Sequence, residues 1–148
     1  MIGTESKLWE NLKTAAEGTP CRMTRIETST CNGVSDVEYV TDNWHGWIEL
    51  KTCSVQRDTS LFTLHSPYTT AQAQWLFDHH DPDKNLRSWL IIGRIGSRTW
   101  KEFILIPPRI SVICLHIRKA SRATVVFRRP GVIRCPTSQS VIQTLRGE

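Results

Sequence analysis

Glu49 and Lys51 stand two residues apart in the segment Trp-Ile-Glu-Leu-Lys-Thr, which alternates apolar and polar residues as a β-strand does. Residues i and i+2 of a strand point to the same face, so the carboxylate and the ammonium share one face. Ile48 and Leu50 then point to the other face and can be buried. Charged groups beside apolar neighbours are costly unless they are paired or used in chemistry. Taken alone, the pair is also typical of a surface ion pair.

Asp36 strengthens the chemical interpretation of this segment. It begins the preceding predicted strand of a β-hairpin, whose turn we expect to centre near residues 43–44. In that register residue 36 lies opposite residue 51, so the Asp36 and Glu49 carboxylates are near neighbours at one end of the hairpin. Adjacent carboxylates repel each other unless a cation lies between them. Oxygen ligands of this kind suit Mg²⁺ or Mn²⁺.

Two further polar residues lie on predicted helices. Glu5 falls in the helix predicted over residues 4–17, where it shares the apolar face of Leu8 and points towards the sheet. Simple charge complementarity at the helix N-terminus is the alternative explanation for Glu5. Gln72 lies on a second helix, predicted over residues 69–80, where it can position a water or a phosphate. A solvated helix residue is an equally good interpretation of Gln72.

The remaining periodicity predicts the sheet that must position these groups. Besides the hairpin, we expect strands over residues 21–28, 88–95 and 100–106. The order of helix, three strands, helix and two strands predicts an α/β protein with a mixed central β-sheet flanked by helices. Beyond Pro108 the pattern weakens: residues 123–127 resemble a strand, and residues 130–148 are expected to be partly disordered.

Positive charge is concentrated at the C-terminal end of the chain. Residues 1–108 hold 11 Lys/Arg and 13 Asp/Glu, a net charge of −2, whereas residues 109–148 hold 8 Lys/Arg and one acid, a net charge of +7. Most of these basic residues are Arg, whose forked guanidinium suits phosphate, so a polyanionic partner is indicated. A merely solvated basic tail is the alternative. We therefore expect a core over residues 1–108 and a basic extension over residues 109–148 that packs on the core and contributes to binding a polyanion.

The other bulk properties favour a soluble intracellular protein. No run approaches the ~18 consecutive apolar residues of a membrane span. The N-terminal residues lack the basic start and apolar run of a secretory signal. The five cysteines are odd in number and form no CxxC pair, so free thiols are expected rather than a disulfide framework or a zinc site. We expect a cytoplasmic location and no membrane partner.

Five short segments, taken in chain order, resemble the PD-(D/E)xK nucleases over residues 5–106. Within that superfamily they are most similar to small phage nucleases of the virus-type replication-repair and Holliday-junction-resolvase-like branch. The segments are Glu5 with Leu8-Trp9 and Leu12, then Arg25-Ile26-Glu27, Gly33-Val34-Ser35-Asp36-Val37, Gly46-Trp47-Ile48-Glu49-Leu50-Lys51 and Gln72-x-x-Trp75-Leu76. Ser35 departs from the family, which usually has Pro there. Because proline only stiffens the start of the strand, Ser should be tolerated.

The resemblance implies a restriction-endonuclease-like core and a metal-dependent deoxyribonuclease activity. Asp36, Glu49 and the backbone carbonyl of Leu50 would hold Mg²⁺ or Mn²⁺, and Glu5 would bind the metal directly or through water. The metal would polarise the scissile phosphate and lower the pKa of a bound water.

The resemblance also assigns roles outside the metal ligands. Lys51 would orient the attacking water or stabilise the charge that develops on the phosphate, and Gln72 would order the site from the helix side. DNA affinity would come from arginines that neutralise phosphates; the candidates are Arg22, Arg25, Arg57, Arg128 and Arg129. A structural pairing with Glu27 or Glu38 is the alternative for Arg25.

The expected function is a metal-dependent DNA endonuclease that acts on branched, flap or single-stranded DNA during phage replication, recombination or repair, in an infected bacterial cell. Cutting a junction symmetrically needs two active sites, and in that case a homodimer is expected. The alternatives are a non-catalytic nucleic-acid-binding protein on the same fold, an RNA-directed or restriction-type nuclease, and a structural phage protein. The intact set of Asp36, Glu49 and Lys51 argues against the non-catalytic alternative.

Overall fold

The computed structural model of this chain describes residues 4–26, 33–54, 64–110 and 130–147. This part of the chain contains six strands: Arg22–Arg25 (β1), Val37–Val40 (β2), His45–Ser54 (β3), Trp89–Ile95 (β4), Trp100–Ile106 (β5) and Ile133–Cys135 (β6). Its α-helices are Thr4–Ala16 (α1), Thr70–Asp78 (α2) and Ser138–Leu145 (α3). A short 3₁₀ turn, Pro82–Lys84, follows α2.

The strands form one mixed sheet in the order β1-β2-β3-β4-β5-β6. The β3 and β4 strands run parallel, whereas the other neighbouring strands are antiparallel. A parallel pair needs a crossover connection, and α2 lies in the chain between β3 and β4. The predicted α/β fold with a mixed sheet flanked by helices is therefore confirmed.

One face of the sheet is covered by α1 and α3. Leu8 and Leu12 of α1 pack in one core with Ile48 of β3 and with Ile142 and Leu145 of α3. Burial of each such side chain stabilises the fold by roughly 1.5–3 kcal/mol. The expectation that residues 130–148 are partly disordered was wrong for residues 130–147, because β6 pairs with β5 and α3 presents an apolar stripe to this core.

The opposite face of the sheet is covered by α2. Ala73 and Leu76 of this helix pack against Cys53 of β3 and against Leu90 and Ile92 of β4. The β4 strand is buried along nearly its whole length, which agrees with the apolar residues at its start. Since alternate residues of β3 share a face, Glu49, Lys51 and Cys53 all belong to this α2 face.

The β2–β3 hairpin is held against the start of β4 by a close backbone approach. A Cβ atom at Gly46 would collide with the carbonyl oxygen of Arg87, so only glycine fits at this position of β3. The same carbonyl accepts a hydrogen bond of 2.6 Å from the Tyr39 hydroxyl. These contacts fix the strand that carries Glu49 three residues later.

The remaining differences from the sequence-based expectations lie at element ends. The β1 strand is shorter than the predicted 21–28, of which residues 27–28 are outside the described residues. The predicted strand at residues 123–127 is also outside them.

Cys21, Cys53 and Cys135 are buried free thiols. In the ranges that the structure describes, no helix is long and apolar enough to cross a membrane.

Candidate active site

The β2–β3 hairpin places Asp36 beside Glu49, in a register shifted by two residues from the predicted one. Val37 pairs with Ile48, so the next position brings Asp36 opposite Glu49 instead of Lys51. A shift of two residues leaves every side chain on its own face, because the side-chain period of a strand is two. Asp36 and Glu49 are therefore close to each other, as expected, although the register differs.

The shift originates in the turn of the hairpin. Thr41 N donates to Trp44 O at 2.7 Å, which leaves Asp42 and Asn43 as the tip. The Thr41 hydroxyl accepts from the backbone N–H groups of Asn43 and Trp44, at 3.3 and 3.0 Å. A threonine that caps a turn in this way is a sequence signal, and it places the turn one residue earlier than the predicted centre at residues 43–44.

Asp36 is fixed by the backbone of β3. Its Oδ2 accepts a hydrogen bond of 2.9 Å from the N–H of Leu50. The β2 ladder ends at Val37, so the carboxylate replaces the missing strand partner of that N–H. The N–H and C=O of one strand residue point to the same side, and the Leu50 carbonyl is therefore also directed to the side of Asp36.

Glu49 is buried and incompletely hydrogen-bonded. Only 1% of its surface is exposed, and its Oε1 has no hydrogen-bond partner among the described residues. Burial, together with the neighbouring Asp36 carboxylate, raises the pKa of Glu49 to about 10, although Lys51 acts in the opposite direction. Glu5 contributes a smaller repulsion. Without a compensating cation, the Glu49 carboxyl is protonated at neutral pH.

Lys51 is linked to Glu5 through Ser66. The Lys51 side chain, 3% exposed, donates from Nζ to Ser66 Oγ at 3.2 Å. Ser66 donates in turn to an oxygen of the Glu5 carboxylate. Glu5 thus faces the sheet, as its position on the stripe of Leu8 indicated, but the described contact of its carboxylate is with Ser66. Sequence reasoning missed Ser66 because no spacing marks it: it lies in the connection that leads to α2.

Gln72 caps the helix on which it lies. Its Oε1 accepts from Thr69 N at 3.0 Å, and Thr69 Oγ1 accepts from Gln72 N at 3.1 Å, which together form a capping box. Thr-x-x-Gln before an apolar run is a recognised sequence signature of a helix start. In the part of the chain that the structure describes, no hydrogen bond joins Gln72 to Asp36, Glu49 or Lys51.

The Asp36–Glu49 pair fits a divalent cation. The Asp36 and Glu49 carboxylates lie together, and Oε1 of Glu49 is buried without a hydrogen-bond partner among the described residues. The Leu50 carbonyl is directed to the same side of β3 as Asp36. Among the described residues no cluster of three or more His, Cys, Asp or Glu side chains is arranged to hold a metal. Two carboxylates and one carbonyl would therefore be an incomplete protein shell. That suits Mg²⁺, which usually keeps several waters and takes substrate phosphates as ligands.

Two of the five candidate DNA-binding arginines can be located. Arg22 is exposed and Arg25 half-buried on β1, which lies at the edge of the sheet. Arg25 pairs with Val37, next to Asp36. The ion pairs between described residues do not include Arg25 with Glu38, and Glu27 lies outside those residues. The other three candidates, Arg57, Arg128 and Arg129, also lie outside them.

One basic residue of the C-terminal segment is neutralised within the fold. Arg134 donates from Nε and Nη2 to the two oxygens of Glu102, each at 2.8 Å, and Arg94 donates to Glu102 at 2.7 Å. The hydrogen bond from Arg134, assisted by Arg94, holds the pKa of the Glu102 carboxyl below its ordinary value. Arg134 therefore joins β6 to β5 and contributes less to a polyanion site than its presence in the basic segment indicated.

Comparison with known proteins finds similarity only at the level of solved structures. No family model matches the sequence, and no curated protein matches it significantly. Among solved structures, that of Hjc, a Holliday junction resolvase from the archaeal hyperthermophile Archaeoglobus fulgidus, is similar with a TM-score of 0.46 and 14% sequence identity, over 72% of this chain and 74% of that chain. A similarity at this level assigns neither a family nor an activity to the chain, so the function has to be argued from the site.

Proposed function

We propose that this protein is a divalent-metal-dependent deoxyribonuclease of the PD-(D/E)xK type, with Asp36, Glu49 and Lys51 at its active site. The observation that carries the proposal is the Glu49 carboxyl: it is 1% exposed, one of its oxygens has no hydrogen-bond partner among the described residues, and it lies against a second carboxylate. With both carboxyls ionised, such an arrangement is unfavourable unless a cation binds it. A buried ammonium on the same face, two residues further along β3, adds the charge that phosphate chemistry needs.

The residues at the site would have different roles in the reaction. Asp36, Glu49 and the Leu50 carbonyl would hold the cation, which when bound polarises the scissile phosphate and lowers the pKa of a nucleophilic water. Lys51 would set its positive charge beside a non-bridging phosphate oxygen and stabilise the negative charge that develops there. Leu90 of the adjacent strand β4 lies beside Glu49 and excludes water from the inner side of the site.

A nucleic acid is the class of substrate that the charge distribution supports, and the family resemblance specifies DNA. The segment over residues 109–148 carries a net charge of +7, and Arg22 and Arg25 lie on the edge strand β1. Basic residues at these places would neutralise phosphates and give a salt-dependent affinity. Selectivity for branched, flap or single-stranded DNA, a role in phage replication, recombination or repair, and the homodimer that junction cutting requires are part of the proposal on the strength of the family resemblance alone.

Cleavage of labelled DNA tests the proposal. A four-way junction, a flap, a duplex and a single strand would each be incubated with Mg²⁺, with Mn²⁺ and with a chelator. We expect cleavage that requires the metal, and the preferred substrate would identify the class of DNA structure. Glu49→Gln should abolish cleavage, whereas Glu10→Gln, a matched change on the exposed side of α1, should not. Binding without cleavage under every condition would favour the non-catalytic alternative.

A further inference from the structure

Residues 64–66 run alongside the end of β3 and are tied to it. Leu64 forms an isolated antiparallel bridge with Cys53, and the backbone N–H of His65 donates to Thr52 O at 2.8 Å. The His65 ring lies between two hydroxyl groups of the same strand. Its Nδ1 is 2.7 Å from Thr52 Oγ1, and its Nε2 is 2.9 Å from Ser54 Oγ. These contacts fix the residue immediately before Ser66.

The first turn of α1 joins the same cluster of hydroxyl groups. Thr4 Oγ1 lies 2.8 Å from Thr52 Oγ1 and 3.1 Å from His65 Nδ1. Thr4 therefore anchors the start of α1 to β3, just before Glu5. Ser66 and Glu5 each follow an anchored residue, so their contact with one another is held from both sides.

The chemistry of the Ser66 hydroxyl gives this contact a direction. A serine hydroxyl has one proton to donate and lone pairs to accept with. Ser66 gives its proton to the Glu5 carboxylate and accepts from Lys51 Nζ at 3.2 Å. Donation to an anion strengthens a hydroxyl as an acceptor. The Lys51 ammonium has three donors, so the contact with Ser66 leaves two for other partners.

We propose that Ser66, oriented by Glu5, is a positioning residue that fixes the Lys51 ammonium beside the Asp36–Glu49 pair. A lysine side chain is a flexible stem that ends in a point charge, and a part-buried hydrogen bond at its tip favours one placement. Its effect on cleavage rests on the proposed nuclease function, but the Lys51–Ser66–Glu5 chain itself does not. The inference gives Glu5 the task of an anionic acceptor for Ser66 in place of that of a metal ligand.

Kinetics provide the first test. Ser66→Ala removes the contact but not the charge of Lys51, so we expect the single-turnover cleavage rate to fall by about 10- to 100-fold while the affinity for DNA is unchanged. Ser66→Thr keeps the hydroxyl and should restore most of the rate. Ser97→Ala, the same change on an exposed bend between β4 and β5, should have no effect. A wild-type rate in Ser66→Ala would overturn the proposal.

Side-chain dynamics provide a second test that does not depend on cleavage. NMR order parameters of the Lys51 Cε–Nζ group would be measured in the metal-free full chain. We expect restricted motion in wild type, Ser66→Thr and Ser97→Ala, and increased motion in Ser66→Ala and in Glu5→Ala, which removes the acceptor. If Lys51 remains equally restricted in both alanine variants, the positioning role is wrong. If no DNA is cleaved by the wild type, the nuclease proposal fails while this measurement still decides the role of Ser66.

Discussion

Glu49 lies on the α2 face of the sheet, paired with Leu90 of β4 and only 1% exposed, so water solvates its carboxylate poorly. Burial disfavours the ionised form, and the Asp36 carboxylate at its side adds repulsion. A residue in these surroundings lowers the stability of the metal-free protein whenever it ionises. If the proposed metal site is correct, the same surroundings favour a bound cation, and folding, pH and metal binding are then linked at one side chain.

The first prediction concerns the pH dependence of stability. The pKa of Glu49 rises from 4.5 to about 10 on folding, so its favourable contribution is fully present below pH 4.5 and is lost as the pH rises towards 10. Glu49→Gln removes this dependence. Without metal, the free energy of unfolding of Glu49→Gln minus that of the wild type should therefore increase as the pH rises from 5 to 9. The increase should be at most about 1.4 kcal/mol per pH unit. Denaturant unfolding at several pH values measures it.

Two controls belong to that measurement. Glu10→Gln, on the exposed side of α1, should follow the wild type at every pH. Added Mg²⁺ should stabilise the wild type more at pH 8 than at pH 6, since the cation competes with a proton for Glu49, and should have little effect on Glu49→Gln. If the difference in free energy of unfolding between Glu49→Gln and the wild type stays constant with pH, Glu49 does not have a raised pKa in the folded protein.

How far the sequence predicts the site differs from residue to residue. The closeness of Asp36 and Glu49 could be predicted, because an error of two residues in the register leaves both side chains on the same face of the sheet. Ser66 could not, because its position depends on how the residues before α2 fold back along β3. The capping contact of Gln72 could have been predicted from its spacing to Thr69, because Thr-x-x-Gln before an apolar run marks a helix start.

At the scale of the element, α2 begins with a capping box, and this supplies the second prediction. Thr69→Ala removes the acceptor for the Gln72 N–H and should destabilise the protein by about 1 kcal/mol. Gln72→Glu preserves the box, because Glu is equally suited to its third helical position, and should leave the stability nearly unchanged. Thermal unfolding of the two variants beside the wild type measures both effects.

Cleavage by the same variants separates capping from catalysis. If Gln72 acts through the helix start alone, Gln72→Glu should cleave DNA at the wild-type rate. A large loss of activity in a stable Gln72→Glu protein would contradict this and restore the role that the family resemblance assigns to the amide.

At the scale of the whole molecule, residues 130–147 complete the core. The α3 helix contributes Val141, Ile142 and Leu145 to the core that contains Leu8 and Leu12 of α1. Each of these side chains is worth roughly 1.5–3 kcal/mol, so together they approach the whole stability margin of a small domain, about 5–15 kcal/mol. Among the described residues, α3 therefore belongs to the same hydrophobic core as α1.

Truncation is the third prediction. A chain that ends at residue 108 lacks β6 and α3 and should show no cooperative thermal unfolding by circular dichroism, whereas the full chain should. Leu145→Ala offers a milder version and should lower stability by about 2–5 kcal/mol. A truncated chain that unfolds cooperatively near the melting temperature of the full chain would contradict this account of the core.

DNA binding is the subject of the fourth prediction. Arg134 is paired with Glu102, so Arg134→Ala should leave the salt dependence of DNA affinity nearly unchanged. Arg22 is exposed on β1, and Arg22→Ala should flatten the plot of log affinity against log salt by about 0.9 if it contacts one phosphate. Charge reversal at Arg128 and Arg129 should weaken binding further. Equal slopes in Arg22→Ala and Arg134→Ala would remove β1 from the DNA-binding surface.

The order of the elements and the mixed sheet could be predicted because half-buried strands alternate apolar and polar residues, and buried strands contain apolar runs, as at Trp89–Ile95. The C-terminal elements could not. The β6 strand has only three residues, and it becomes a strand because the edge of β5 offers it a partner. Such long-range pairing leaves little trace in local sequence.

The most direct test of the central claim is the rate of single-turnover DNA cleavage in Mg²⁺, measured on the preferred substrate for wild type, Asp36→Ala, Lys51→Ala and Lys101→Ala. Lys101 is exposed on β5 and serves as the matched control for Lys51. The account predicts that Asp36→Ala and Lys51→Ala each lose at least about 100-fold in rate, that Lys101→Ala retains the wild-type rate, and that chelation stops the wild type. Cleavage that persists in Asp36→Ala or in chelator would contradict it.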